Sequence, residues 1–102
     1  MSATQRQALV VGQVAAGLRF DVSADNAFHR AAALAGSAGE ATEVASEAAA
    51  FTNYKYRSAE YALRRGADLS RTKEQALAVA DRATSLGYTD AANYAAQKAA
   101  AL

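Results

Sequence analysis

Runs of alanine in a chain without a single proline constrain this sequence more than any other feature. Ala31-Ala32-Ala33, Ala48-Ala49-Ala50 and Ala99-Ala100-Ala101 are the densest blocks. Alanine loses no side-chain entropy on entering a helix and hides no polar group, so it is the best helix former. Proline, the strongest helix breaker, is absent. Period-two alternation never persists beyond a few residues, so no strand is expected. The chain therefore reads as all-α. Its methyl-covered helix surfaces are thin, which lets neighbouring helices approach closely.

The 102 residues are enough for one helical domain, assigned to 1–102. Hydrophobic residues make up 52% of the chain, but much of that is alanine, and there is no tryptophan or isoleucine. At about 25 cal/mol per Å² of apolar area, a methyl-lined core offsets backbone entropy only weakly. The expectation is a chain that gains stability from a partner or from copies of itself. With 11 basic and 10 acidic residues and a net charge of +1, there is no global electrostatic footprint for nucleic acid or a membrane surface. The absence of cysteine excludes a disulfide framework, a thiolate zinc site and a thiol nucleophile. The apolar stretch 8–18 follows Arg6 and is interrupted by Gln13. It is too short to span a bilayer and makes a poor secretory signal, so it is expected to be an ordinary buried first helix. On these grounds a cytoplasmic or virion location is expected, with no membrane contact.

Start and stop signals divide the chain into four or five helices. The first begins after Ser2 or Thr4 and runs to about Arg19, with Phe20-Asp21-Val22 as a short extended connection. Ser23 is a good N-cap for a second helix, from about Ala24 to Ala35, with Phe28, Ala31, Ala32 and Ala35 on one face. Gly36-Ser37-Ala38-Gly39 breaks the pattern. A long central helix is expected from about Glu40 to Arg65, with Glu40, Glu43 and Glu47 near its start and Arg57, Arg64 and Arg65 towards its end, both favourable to the macrodipole. Gly66 suits the left-handed residue that ends a helix. Ser70 can cap a fourth helix to about Leu86, Gly87 stops it, and Thr89-Asp90 starts a fifth. The last two form a helical hairpin over about 70–101. No fixed-period repeat is evident.

Three groups of residues invite a chemical reading. His29 is the single histidine; Asp25, four residues earlier, is the carboxylate on its helical face. Glu40, Glu43 and Glu47 share a face, but a di-iron bundle also needs Glu-x-x-His, which does not occur here. No catalytic, cofactor-binding or metal-ligating set is therefore assigned. The densest aromatic-basic cluster is Tyr54-Lys55-Tyr56-Arg57 with Tyr61, Arg64 and Arg65. Val44, Phe51 and Ser58 recur every seven residues, as do Glu47, Tyr54 and Tyr61, giving an aromatic stripe beside an alanine face.

Residues 32–39 are similar to the motif of histidine phosphotransfer domains. The phosphorylated histidine of that motif falls on Ala32, with His29 out of register, so phosphotransfer is not implied. Residues 64–69 are similar to the end of an ankyrin repeat, but the following segment reaches Gly87 about a helical turn too late. The expected function is non-enzymatic: a structural or assembly subunit, such as a virion component or filament protein, that self-associates through alanine- and tyrosine-lined helix faces. Phe51, Tyr54, Tyr61, Arg57 and Arg65 form the expected protein interface, since tyrosine and arginine are enriched at interface hot spots. The second reading is a small protein-binding module using the same stripe. A third is nucleic-acid contact through Arg57, Arg64, Arg65 and Arg71.

Overall fold

Three hydroxyl caps, at Ser2, Ser37 and Thr72, organise the fold. In the computed structural model, which describes residues 1–51 and 57–102, Ser2 Oγ accepts from the Gln5 N–H at 3.1 Å, Ser37 Oγ from the Glu40 N–H at 3.2 Å and Thr72 Oγ1 from the Gln75 N–H at 3.2 Å. Two of these caps are reciprocated one residue further back than in the usual capping box. Glu40 Oε1 accepts from the Gly36 N–H at 3.0 Å, and Gln75 Oε1 accepts from the Arg71 N–H at 2.7 Å. The caps open helices α1 (Ala3–Gly17), α3 (Ala38–Ala49) and α5 (Lys73–Leu86). Each is followed by a second helix: α2 (Asp21–Ala33), α4 (Arg57–Leu69) and α6 (Thr89–Ala101). The cap positions lie 35 residues apart, and so do the buried residues Leu9, Val44 and Val79. The chain is thus a threefold repeat of a helix pair, where the sequence pattern suggests none.

Within a pair the helices run antiparallel. At the first crossing the Gln5 Nε2 donates to the Ala31 carbonyl at 2.9 Å, and Gly12 abuts the Phe28 ring. Between pairs, like helices run parallel. Gln13 on α1 donates to Glu47 on α3 at 2.8 Å, and Lys98 on α6 lies 3.2 Å from Asp68 on α4. Each pair touches only the next. Among the described residues, neither α1 nor α2 packs directly on α5 or α6, although the Tyr88 side chain in the α5–α6 turn comes near enough to Asp25 on α2 to feel its charge. This nearest-neighbour arrangement is that of an α-solenoid, folded here into a slab of 40 × 27 × 14 Å.

Alanine fills most core positions, and the largest fully buried side chains are Phe28, Leu63, Gln5, Val44 and Val79. Small side chains allow close crossings. An added Cβ on Gly12 would stand 2.8 Å from the Phe28 ring, and one on Gly66 would stand 3.4 Å from both Thr42 Oγ1 and Val79 Cγ2.

Six helices among the described residues replace the expected four or five. The long central helix over 40–65 is two helices, α3 and α4, packed against each other. A single 26-residue helix would run about 39 Å, the length of the whole molecule, and would leave much of its alanine face uncovered. Gly66 does not end a helix; it is buried inside α4, where it lets α3 and α5 approach. Ser23 does not cap α2, which begins at Asp21 directly after the turn. Nor does Ser70 cap α5: its hydroxyl donates back to the Gly66 carbonyl at 2.8 Å, and Thr72 supplies the cap.

The ends of α1 and α5 share one stop. Phe20 N–H reaches the Ala15 carbonyl at 2.8 Å with Arg19 at φ 62°, and Tyr88 N–H reaches the Ala83 carbonyl at 2.8 Å with Gly87 at φ 86°. Both are Schellman turns, but only one has glycine in the left-handed position. Arg19→Gly is expected to relieve about 1 kcal/mol of backbone strain, raising the thermal midpoint by several degrees. Gly12→Ala should lower stability by about 1–3 kcal/mol even though alanine favours helix, because the sealed Phe28 ring blocks the methyl. Thermal unfolding followed by circular dichroism checks both.

Candidate interaction surfaces

The aromatic and basic residues of α4 lie along the seams between helix pairs. Asp25 Oδ1, on α2, accepts from the Ser58 N–H at 2.9 Å and so caps the start of α4 from a neighbouring helix. One turn on, the His29 ring stacks on Tyr61 with centroids 4.0 Å apart. A further turn on, Arg65 donates through Nε to the Ala32 carbonyl at 2.9 Å and through Nη2 to the Ala35 carbonyl at 3.1 Å. The Ala32 carbonyl lies in the last turn of α2, where it also accepts from the Ala35 N–H at 3.1 Å, and Ala35 lies just past the helix; a cation is favoured there. On the other side of α4, Arg64 pairs with Glu60 at 3.8 Å and lies 5.0 Å over the Tyr94 ring. Asp68 accepts from the Tyr94 hydroxyl and pairs with Lys98. The hydrogen bond to Asp68 is the main cause that raises the pKa of both Tyr94 and Lys98.

Of the expected interface residues, Tyr61 and Arg65 therefore meet on the α2–α4 seam, and half-buried Phe51 packs on Phe28 at 6.2 Å. Arg57 is exposed at the start of α4, and Tyr54 lies outside the described residues. The four arginines considered for nucleic acid do not form one patch. Arg57 and Arg71 stand at opposite ends of α4, about 21 Å apart along its axis, and Arg65 faces the end of α2. His29 has Tyr61 as its ring partner, while Asp25 serves α4. The three glutamates diverge as well. Glu40 binds the Met1 ammonium at 3.1 Å, Glu47 accepts from Gln13, and Glu43 is exposed.

A different surface has large apolar side chains uncovered. Helix α1 is apolar on two opposite sides. Its inner side, with Ala8, Leu9, Gly12, Ala15 and Ala16, is buried against α2 and α3. Its outer side carries Val10, Val11, Val14 and Leu18 at helical spacing, and Phe20 and Val22 continue past the turn; all six are between 49% and 71% exposed. They leave on the order of 600 Å² of apolar surface in solvent, the upper end for a monomer. The expectation of a buried first helix thus holds for one side only. Alanine explains the division, because the tight crossings at Gly12 and Ala15 leave no room for branched side chains, which face outward. The signal was legible as a second apolar stripe lying opposite the glycine-alanine stripe, but two such stripes cancel in any test for a single amphipathic face.

A second feature is a groove of about 690 Å³ between α3 and α5, lined by polar groups that include Glu43, Ser46, Glu47, Gln75 and Arg82. No helix is long and apolar enough to cross a membrane among the described residues. Removing Arg65 should uncover the Ala35 carbonyl and leave the Ala32 carbonyl with the Ala35 N–H alone. Arg65→Met is expected to lower stability by about 2–4 kcal/mol in urea unfolding, with Arg65→Lys intermediate because lysine lacks the planar fork. Glu40 is held below the usual carboxylate pKa, chiefly by the Gly36 N–H and then by the Met1 ammonium. The stabilisation is present above the ordinary carboxylate pKa and is lost as pH falls through the lowered value. Glu40→Gln should therefore flatten the loss of thermal stability between about pH 5 and pH 3. Comparisons with protein-family models, curated proteins and solved structures found no match to this chain.

Proposed function

We propose that this chain is a non-enzymatic structural subunit that acts by associating with protein through a helix face. One observation supports this reading: the outer face of α1 presents an apolar stripe on one end of a stack in which α3 and α4 are covered on both sides. An apolar outer face on a helix pair is a surface suited to being covered, since a face left to solvent in such stacks is ordinarily polar. The alanine- and tyrosine-lined faces of α4 contribute by making the stack rigid, and α1 offers the contact.

A second reading, a binding module for a polar extended segment, is supported by the groove between α3 and α5, where Glu43 and Arg82 supply both signs of charge. The two readings predict different masses in isolation. Light scattering over a range of concentrations, at low salt and in about 1 M sulfate, is expected to give a mass above that of one chain that sulfate preserves or raises. Apolar association strengthens in such salts, whereas ion pairing weakens. A mass of one chain throughout would refute the proposal and leave the groove as the working surface.

A further inference from the structure

We infer that the occupant of the α1 face is a second copy of this chain, docked head to head across a twofold axis. This inference rests on the proposal above and specifies its partner. The two ends of the stack are chemically unlike. At the far end, α5 and α6 expose charges of both signs, Lys73, Glu74, Asp81, Arg82 and Asp90, with Leu77 and Leu102 as the large apolar side chains. Seating the valines of one copy on that end would strip water from these charged groups without supplying partners. Head-to-tail growth into a filament is therefore disfavoured. The surface on this molecule that matches the α1 stripe is the same stripe on another copy, and a patch that pairs with itself gives a closed dimer.

The sequence of the stripe suits an antiparallel crossing. Val14 lies near its centre, so a twofold axis there sets Val10 against Leu18 of the other copy and Val11 against its Gly17. Gly17 is exposed, and a Cβ added there would meet nothing within 4 Å. Having no side chain, it does not obstruct the approach of a valine. Thr4, Arg6 and Gln7 border the N-terminal end of the stripe, and no charged side chain lies between Val10 and Leu18. The exposed apolar area approaches the roughly 800 Å² per partner of a standard stable interface.

Single-cysteine variants test this cleanly, because the chain has no cysteine of its own. Val14→Cys should form a covalent dimer on mild oxidation, and sedimentation of the unmodified chain should give a dimer that does not grow with concentration. Val14→Glu places two carboxylates at the axis and is expected to weaken the dimer by roughly a hundredfold or more. Its far-UV circular dichroism should be unchanged, since Val14 is exposed. Mixing Val14→Cys with Leu77→Cys reads out the alternative orientation. A mixed disulfide, with a mass that climbs with concentration, overturns the twofold dimer while the assembly reading stands. A single chain at every concentration overturns both. A single chain that floats with phosphatidylserine-containing vesicles overturns both and gives the stripe to lipid.

Discussion

The closeness of helix approach that alanine permits governs the whole molecule. With a methyl group at most buried positions, two helices meet nearly backbone to backbone, as at Gly12 on Phe28 and Gly66 between α3 and α5. Such contacts are well packed but remove little apolar area per residue from water. One helix pair cannot offset its own ordering entropy with so little burial, and stacking is the remedy: α3 and α4 are covered on both sides, and α1–α2 and α5–α6 on one. The outward valines of α1 follow from the same constraint, because bulk excluded from a tight crossing has only the outside to occupy.

Polar groups do the joining that apolar bulk does elsewhere. The end of α2 is closed by Gln5 from one neighbour and Arg65 from another, and the start of α4 is closed by Asp25. The bonds from Gln5 and to Asp25 reach backbone groups near helix ends, and Arg65 adds a charged donor to the Ala32 carbonyl beside its backbone partner. A helix end capped by its own residues is indifferent to what lies beside it, whereas one capped by the next helix is correct only when that helix is in register. The α2–α4 seam therefore fixes the stagger between pairs with a directionality that methyl contacts lack.

Much of this was legible in the residues. Helicity, the breaks at Gly36–Gly39 and Gly87, and the buried set Phe28, Ala31, Ala32 and Ala35 follow from propensity, glycine and spacing alone. The repeat was hidden because alanine occupies core and surface alike, leaving the 35-residue period visible only in three caps and in Leu9, Val44 and Val79. The connection between the members of a pair also varies: it is three residues after α1 but two after α5, which shifts the second helices out of phase. The role of Arg65 could not be read from sequence, since its carbonyl partners are 30 and 33 residues away. Nor could the exposure of Val10 and Val14, because nothing local says which of two apolar stripes will be covered.

The lack of contact between the first and third pairs has a consequence for how the molecule comes apart. In a globule with a common core, damage anywhere loosens everything. Here free energy passes along the chain from pair to pair, so loss of order at α6 reaches α1 chiefly through α3 and α4. The middle pair is the one element whose opening severs the two halves, and either end can fray while the rest holds its shape.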